Sequence, residues 1–349
     1  MVLKLKYGRT FLLHNWNKWL IPFYLLFTIL FNFTKALSQE SYRIIEQKVI
    51  QLQPPENQFI GKVFDLAIDT DQSAIFVCDY DNHTIWKFSK DGEYLNQIGQ
   101  QGKGPGEFIH PVSISLKEDT VAVLDEGNRR VSFFSKKGEF FYSVFISNAG
   151  LINGIELSRT GNRLLISESL GIKNLICLSL QGNVLWESPQ TPTAIMQPVK
   201  LPGGNISLTK DNRLIVANIR KYDVNLMNWK SDTLIKIQYN PATYEQPALD
   251  SRQDYIHQKY FSLLLTPLQV DSIIVVQRVN IFKENESNKK EFLIDLFTIN
   301  GEPIQSNLRY KKLPFIATDY KQLYAVDYSP VKNIDGNPAI IVARLVKTR

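Results

Sequence analysis

The chain has 349 residues, of which 44% are hydrophobic and 21% are charged, a composition typical of folded globular proteins and not of disordered or fibrous ones. The formal charge of +6 comes mostly from residues 1–38, which hold five Lys and Arg residues and no acidic residue, so the rest of the chain carries about +1. The charge therefore gives no support to a nucleic-acid-binding surface.

The first 38 residues have the composition of an export signal. A basic stretch precedes the apolar run Trp19–Phe33, and small residues lead to a predicted cleavage between Ser38 and Gln39. The run has about 15 residues, fewer than the roughly 20 that span a bilayer, and an uncleaved N-terminal anchor is the alternative. We therefore predict an exported protein, located in the periplasm, in the cell envelope or outside the cell. It would contact a membrane only if this segment is retained.

Residues 77–95 and 123–141 are two copies of one repeat at an offset of 46 residues. In each copy a short apolar strand runs into an Asp-x-x-Asn turn, and a second strand then leads to a Lys-x-Gly hairpin. The aligned turn residues are Asp79, Asn82, Gly92, Asp125, Asn128 and Gly138. Asp and Asn side chains in turns bond nearby backbone amides, so we expect a structural and not a catalytic role for them.

Four weaker copies follow at 162–188, 212–239, 271–305 and 321–347. The unit length of about 45 residues is that of a four-stranded propeller blade. The last copy is one strand short, whereas Tyr42–Leu52 alternates like a strand before the first copy. The sequence thus predicts an all-β fold over residues 39–349: a single six-bladed β-propeller domain of four-stranded antiparallel blades, with the N-terminal strand closing the last blade.

Three features that suggest chemistry are better explained by the repeat. The glycine-rich segment Gly99–Gly106 lacks the Gly-Lys-Ser/Thr of a phosphate loop and is predicted to cross between blades one and two. The basic pairs at 129–130 and 136–137 are predicted to be solvated surface. Cys78 and Cys177 fall in different blades and are predicted to be buried, unpaired thiols.

The repeat resembles that of a known family. The Asp-x-x-Asn turn, the Lys-x-Gly-Glu hairpin and the loop 99–111 are similar to NHL-type repeats, especially those in six-bladed propellers of bacterial cell envelopes, many of them of unknown function. The clear similarity covers roughly 58–145, and only the pattern continues beyond 150. The resemblance implies the fold, export and a binding role, with no shared chemistry.

The repeat is interrupted between blades four and five by Pro241–Phe261. The second half of this insertion is predicted to be a short helix, with Tyr255, Lys259 and Tyr260 at helical spacing. Insertions on repeat proteins often lie on the binding face, and these three residues are the binding candidates; packing against a blade edge is the alternative. The polar stretch Lys283–Lys290 is predicted to be a solvated hairpin tip.

The leading functional hypothesis is a non-catalytic propeller that binds a protein, a peptide or a glycan through its channel mouth and loops, without nucleic acid. No catalytic residue, metal ligand or cofactor is assigned, and His83, His110 and His257 lack metal-ligand spacing. The alternative is a calcium-type hydrolase, lactonase or lyase, because propeller lactonases of related architecture place Glu, Asn and Asp around the channel. A channel calcium ion and a purely structural envelope role both stay open.

Overall fold

The computed structural model describes residues 41–146, 152–168, 175–188, 202–247, 258–284, 287–310, 313–329 and 336–348. Within these ranges the chain forms strands, turns and loops but no helix, and so offers no helix able to cross a membrane. In chain order the strands are β1 (Ser41–Gln51), β2 (Val63–Asp69), β3 (Ala74–Asp79), β4 (Thr84–Ser89), β5 (Tyr94–Ile98), β6 (Pro111–Lys117), β7 (Thr120–Asp125), β8 (Arg130–Ser135), β9 (Phe140–Phe145), β10 (Ile152–Leu157), β11 (Arg163–Glu168), β12 (Leu175–Ser179), β13 (Val184–Glu187), β14 (Ile206–Leu208), β15 (Leu214–Ala217), β16 (Asp223–Met227), β17 (Thr233–Gln238), β18 (Tyr260–Leu264), β19 (Leu268–Val270), β20 (Ile273–Glu284), β21 (Ser287–Thr298), β22 (Pro303–Arg309), β23 (Phe315–Thr318), β24 (Leu323–Asp327) and β25 (Ala339–Thr348).

The strands pair into six antiparallel sheets, which are the blades of the propeller. Blades one to four are β2–β5, β6–β9, β10–β13 and β14–β17, each in chain order from the innermost to the outermost strand. Blade five contains β18, β20, β21 and β22, with the short β19 also paired to β20. Blade six contains β23, β24, β25 and β1. The six-bladed β-propeller predicted from the repeat is confirmed.

The N-terminal strand closes the last blade, as the sequence predicted. β1 is the outermost strand of blade six, beside the C-terminal strand β25. Ile50 and Leu52 are buried in a cluster formed by blades six and one. The amide of Gln53 also donates to the carbonyl oxygen of Gly92 in blade one, at 2.9 Å. The start of the described chain thus joins the first blade to the last.

The hydrophobic core lies between neighbouring blades. In β3, Ile75 and Val77 pack with blade six, whereas Phe76 and Cys78 pack with blade two. A similar cluster joins each of the other neighbouring pairs. Because both faces of such a strand are packed, its sequence is almost continuously apolar. Cys78 and Cys177 lie in two of these clusters as buried free thiols, which confirms that prediction.

The Lys-x-Gly turns lie at the outer rim, against the outermost strand of the preceding blade. Gly92 and Gly138 adopt φ values of 93° and 94°, a region that favours glycine. A Cβ atom at Gly138 would lie 3.5 Å from Ile98 of β5, an ordinary contact. A Cβ atom at Gly92 would lie only 2.0 Å from the carbonyl oxygen of Gln51 in β1. The first turn therefore requires glycine for its close approach to the closing strand as well as for its conformation.

Candidate functional site

The repeated aspartates bond their own blades. Asp79 is fully buried and accepts hydrogen bonds from the amides of Gly61 (2.9 Å) and Asn82 (3.1 Å) and from the indole of Trp86 (2.8 Å). The Asn82 side chain donates to Asp79 and to the carbonyl oxygen of Phe59, both at 2.8 Å. These are the contacts expected of a turn residue, and they leave the carboxylate turned away from solvent.

Asp125 occupies the same position in blade two and adds a buried ion pair. It accepts hydrogen bonds from the side chains of Asn128 (2.7 Å) and Arg130 (3.1 Å). Arg130 also donates to the carbonyl oxygens of Gly104 (2.7 Å) and Glu107 (2.8 Å) in the glycine-rich loop. This loop joins β5 to β6, which confirms the predicted crossover between blades one and two.

The prediction that the two basic pairs are solvated is wrong for Arg130 and Lys136, which are 5% and 4% exposed. The Lys136 Nζ atom lies 2.8 Å from Oδ2 of Asp69 in blade one, with both side chains buried. A buried cation is tolerated only with such a partner. The sequence pattern does not reveal this ion pair, because its acidic member lies in a different blade.

The innermost strands of all six blades surround one central channel. A cavity of about 530 Å³ occupies the end of the channel at which these strands finish, and residues of every blade line it. We call this the finishing end; it is marked by Asp69, Lys117, Leu157, Leu208 and Thr318, the last residues of their strands. The opposite end, at which the innermost strands begin, is called the starting end.

Two of the carboxyl groups that line the cavity are hydrogen-bonded to serine hydroxyl groups of its wall. Asp65 of β2 accepts hydrogen bonds from the Ser113 hydroxyl (2.9 Å) and from two backbone amides, and Glu156 of β10 accepts one from the Ser115 hydroxyl (2.9 Å). Burial raises the pKa of Asp65 to about 7 despite these bonds. Burial, together with the charge of Asp65, raises the pKa of Glu156 to about 8. At neutral pH the wall therefore holds carboxyl groups that are largely or partly protonated.

A half-buried arginine lies in the same cavity. Arg159 donates to the carbonyl oxygens of Thr209 (3.3 Å) and Lys210 (3.1 Å) and to the hydroxyl of Tyr320. Its guanidinium carbon lies 4.8 Å from the centre of the Tyr320 ring, within cation–π range. Blades three, four and six thus hold the guanidinium group at the finishing end.

The described ends of the predicted binding insertion lie at the starting end, opposite the cavity. Its central residues 248–257, including Tyr255 and the predicted helix, lie outside the described residues. Lys259 is exposed, and the prediction of a helix is wrong at Tyr260, which is the first residue of β18. The Tyr260 hydroxyl donates to the carbonyl oxygen of Thr243, and its ring lies 4.8 Å from that of a phenylalanine in β20. The described ends of the insertion and the cavity therefore do not form one small-ligand site.

A buried ion pair anchors the base of this insertion. The Arg278 Nε atom lies 3.0 Å from Oδ2 of Asp295, and both side chains are fully buried. Arg278 also donates to the hydroxyl (2.7 Å) and carbonyl oxygen (3.2 Å) of Thr243, and the Tyr222 hydroxyl donates to Asp295 (2.7 Å). The tip of the neighbouring hairpin, predicted to be solvated, falls at 285–286, outside the described residues.

Metal-ligating side chains are not clustered among the described residues of the channel. Among the described residues, no group of three or more His, Cys, Asp or Glu side chains is placed to hold a metal ion. Both oxygens of Asp65 already accept hydrogen bonds from the wall. His83 and His110 do meet at the starting end, where the amide of His110 donates to Nδ1 of His83 (2.9 Å).

The cavity residues Asp65, Glu156 and Arg159 were not predicted from the sequence, because functional residues were expected where the repeat is interrupted. A signal was present in the first two: each is an acidic residue inside a short, mostly apolar segment, VFDLAID and INGIEL. An acidic residue in a packed strand needs a hydrogen-bonding partner or faces a cavity. Arg159 follows β10 in a turn, and no feature of the sequence distinguishes it from other surface arginines.

Comparison with known proteins supports the fold. A family model described as a 6-bladed beta-propeller matches residues 27–146, about a third of the chain. A protein of Bacteroides fragilis NCTC 9343, provisionally named as exported, has a TM-score of 0.63 at 14% identity, covering 88% of this chain and 96% of that one. A member of the DUF4221 family from Bacteroides vulgatus ATCC 8482 has a TM-score of 0.67 at 11% identity, covering 89% and 100%.

Identities this low show a shared fold alone. No curated protein matches the chain in sequence. The comparisons thus support a family of six-bladed propellers, and the finer resemblance to NHL-type repeats stays a prediction.

Proposed function

We propose that this chain is an exported, non-catalytic binding protein that holds its ligand in the cavity at the finishing end of the channel. The observation that carries the proposal is the cavity itself, of about 530 Å³ and lined from all six blades. That volume falls within the range of about 300–1,000 Å³ typical of ligand sites. The ligand is then a small polar molecule, or the end of a peptide or glycan chain.

The chemistry of the wall supports binding. Serine and threonine hydroxyl groups, a stacked arginine and buried carboxyl groups alternate with apolar side chains along the lining. Such a mixture of apolar surface and a few placed polar groups is typical of recognition sites. Among the described lining residues there is no histidine or cysteine, and the Asp65 carboxyl group is held by three wall donors. These contacts favour recognition over general acid–base or nucleophilic chemistry.

Export is supported by the basic and apolar N-terminal segment with its predicted cleavage before Gln39. A similar structure carries a provisional name as an exported protein, which agrees with this part of the proposal. The insertion at 241–261 takes no part in the ligand contact that we propose, because its described ends lie at the opposite end of the channel.

The test is a variant that fills the cavity. Ala67 is half-buried in the lining, beside the core cluster between blades one and two, and Ala67→Trp is designed to place an indole in the cavity. Leu95→Trp adds the same ring at an exposed position of the same blade. Each protein is incubated with cell-envelope glycan digests and peptide mixtures and then analysed by native mass spectrometry. The wild-type protein and Leu95→Trp should retain a bound molecule that Ala67→Trp does not.

Retention of the molecule by Ala67→Trp would overturn the proposed site. A third variant, in which residues 246–258 are replaced by a glycine-serine linker, should bind as the wild type does. Loss of binding in that variant alone would place the ligand at the insertion instead. Turnover of the bound molecule, dependent on a stoichiometric divalent ion, would favour the hydrolase alternative.

A further inference from the structure

The charges inside the cavity do not cancel. Lys136 is paired with Asp69 at 2.8 Å, so this cation is already neutralised. Asp65 and Glu156 are bonded to wall hydroxyl groups and are largely or partly protonated at neutral pH. Within the described part of the chain, Arg159 has no ion pair. Arg159 is therefore a cation of the cavity interior that no ion pair neutralises.

The charges at the mouth of the cavity are of both signs and do not supply the missing partner. Asp71, Glu118 and Lys210 are exposed, and Asp211 is paired with Arg213 at 2.9 Å. The Asp319 carboxylate already accepts hydrogen bonds from the Gln322 amide (2.7 Å) and the Tyr324 hydroxyl (2.9 Å). Exposed charges are screened by water and salt, whereas a half-buried guanidinium keeps a stronger local field. An anion that enters the cavity is thus attracted mainly by the arginine.

Arg159 is also held in one position. Its Nη1 atom donates to two carbonyl oxygens of the neighbouring blade, and its Nη2 atom donates to the Tyr320 hydroxyl, with the Tyr320 ring beneath the group. A guanidinium group that is already fixed in this way loses little additional conformational freedom when it binds an anion. The planar fork matches a carboxylate, with which it forms strong charge-assisted hydrogen bonds.

We propose that the ligand of this cavity carries a carboxylate group and that Arg159 binds it, with Glu156 beside it. This inference rests on the proposed function, because it assigns the ligand chemistry of the same cavity. A uronic acid in a glycan and the C-terminus of a peptide share this chemistry. The experiment below separates the two sources.

The proposal implies a dependence on pH. A protonated Glu156 does not repel a carboxylate and can donate a hydrogen bond to it, whereas an ionised Glu156 repels it. The titratable and charged groups near Glu156 and Arg159 are Asp65 from β2, Lys117 from β6, Lys210 and Asp211 from the turn after β14, and Tyr320 from the turn after β23. Affinity for an acidic ligand should therefore fall as the pH rises through about 8, where Glu156 loses its proton.

The experiment is isothermal titration calorimetry of the full exported protein with two matched pairs of probes. Galacturonate is compared with galactose, and N-acetyl-alanyl-alanine with its C-terminal amide. At pH 6.5 at least one acid should bind about 10- to 100-fold more tightly than its neutral twin, and Arg159→Gln should remove most of that difference. Arg344→Gln, an exposed arginine on β25, is the matched control and should bind as the wild type does.

A second variant tests the role of Glu156 through a pH profile, a readout that loss of folding would not reproduce. Glu156→Gln keeps a neutral hydrogen-bonding group, so it should bind the acid at pH 6.5 and should no longer lose affinity between pH 7 and 9. The wild-type protein should lose up to about tenfold per pH unit above pH 8. A pH profile that is the same in wild type and Glu156→Gln would overturn the role of Glu156.

Three results would overturn the proposal as a whole: equal affinity for the acids and their neutral twins, no effect of Arg159→Gln on acid binding, or no binding of either acid. If an acid and its neutral twin bind equally and Ala67→Trp binds neither, the proposed channel site would stand although the carboxylate proposal fails. Acid binding that persists in Ala67→Trp would refute the channel site itself. Binding of galacturonate alone would identify a glycan source, and binding of the peptide acid alone would identify a peptide source.

Discussion

Substituting Gly92 by alanine tests the way in which the propeller ring is closed. Gly92 and Gly138 occupy the same turn of blades one and two and have φ values of 93° and 94°. Alanine at either site therefore has the same backbone strain, about 1–2 kcal/mol. The two sites differ in what a Cβ atom meets: the Gln51 carbonyl oxygen at 2.0 Å for Gly92, and no atom closer than 3.5 Å for Gly138.

The clash at Gly92 is with backbone, so only a displacement of the closing strand relieves it. That displacement breaks the hydrogen bond from the Gln53 amide to the Gly92 carbonyl, which contributes about 1 kcal/mol. It also exposes part of Ile50 and Leu52, which are 3% and 4% exposed, and full exposure of each costs about 1.5–3 kcal/mol. We expect Gly138→Ala to cost about 1–2 kcal/mol and Gly92→Ala at least about 3 kcal/mol.

The assay combines guanidinium unfolding of both variants with hydrogen exchange of the β1 amides. Gly92→Ala should lower the free energy of unfolding by the larger amount and should lose protection within Ser41–Gln51. Gly138→Ala should keep that protection. Equal destabilisation by the two substitutions, or unchanged protection of β1 in Gly92→Ala, would refute the account of ring closure.

Three further predictions concern buried charged groups. Asp79→Ala leaves an indole and two amides without their acceptor and should lower the free energy of unfolding by about 2–4 kcal/mol in chemical denaturation, and an unchanged midpoint would contradict the turn role. Burial raises the pKa of Asp65 to about 7 and of Glu156 to about 8. Between about pH 4 and these values, the native state therefore binds more protons than the unfolded state. The free energy of unfolding should therefore fall as the pH rises from about 4 to about 8, by up to about 1.4 kcal/mol per pH unit for each group. Asp65→Asn and Glu156→Gln should each flatten the dependence of the melting temperature on pH. An unchanged dependence would contradict this prediction. Arg278→Met leaves the carboxylate of Asp295 buried without its cation and should lower the free energy of unfolding by about 3–5 kcal/mol. Combining it with Asp295→Leu should recover part of that loss, which a purely steric effect would not do.

The fold was predictable because each copy of the repeat corresponds to one blade of the propeller. Two blades share their turn residues, and the unpaired strand at Tyr42–Leu52 matches the missing strand of the last copy. These signals are local: a turn, a hairpin and a run of apolar residues lie within about 20 residues of chain. Counting the strands also predicted a long-range contact, the pairing of the first strand with the last blade that closes the ring.

The candidate site was not predictable in the same way. Asp65, Glu156, Arg159 and Tyr320 come from three blades, and only the ring geometry brings them to one cavity. The pairing of Lys136 with Asp69 likewise depends on how two blades pack. A sequence pattern relates residues that are close along the chain, whereas the channel wall is built from short stretches of all six blades, which are far apart in sequence. The insertion was visible because it breaks the repeat, but its described ends lie away from the cavity.

The central claim is that the ligand binds in the cavity at the finishing end. The most direct measurement is hydrogen exchange of the exported protein with and without the molecule captured in the mass-spectrometry experiment. Protection should increase at the ends of β2, β6 and β10 and in the turn that carries Arg159, with no change at 241–247 or at the start of β18. Protection confined to the insertion and the start of β18 would contradict the claim.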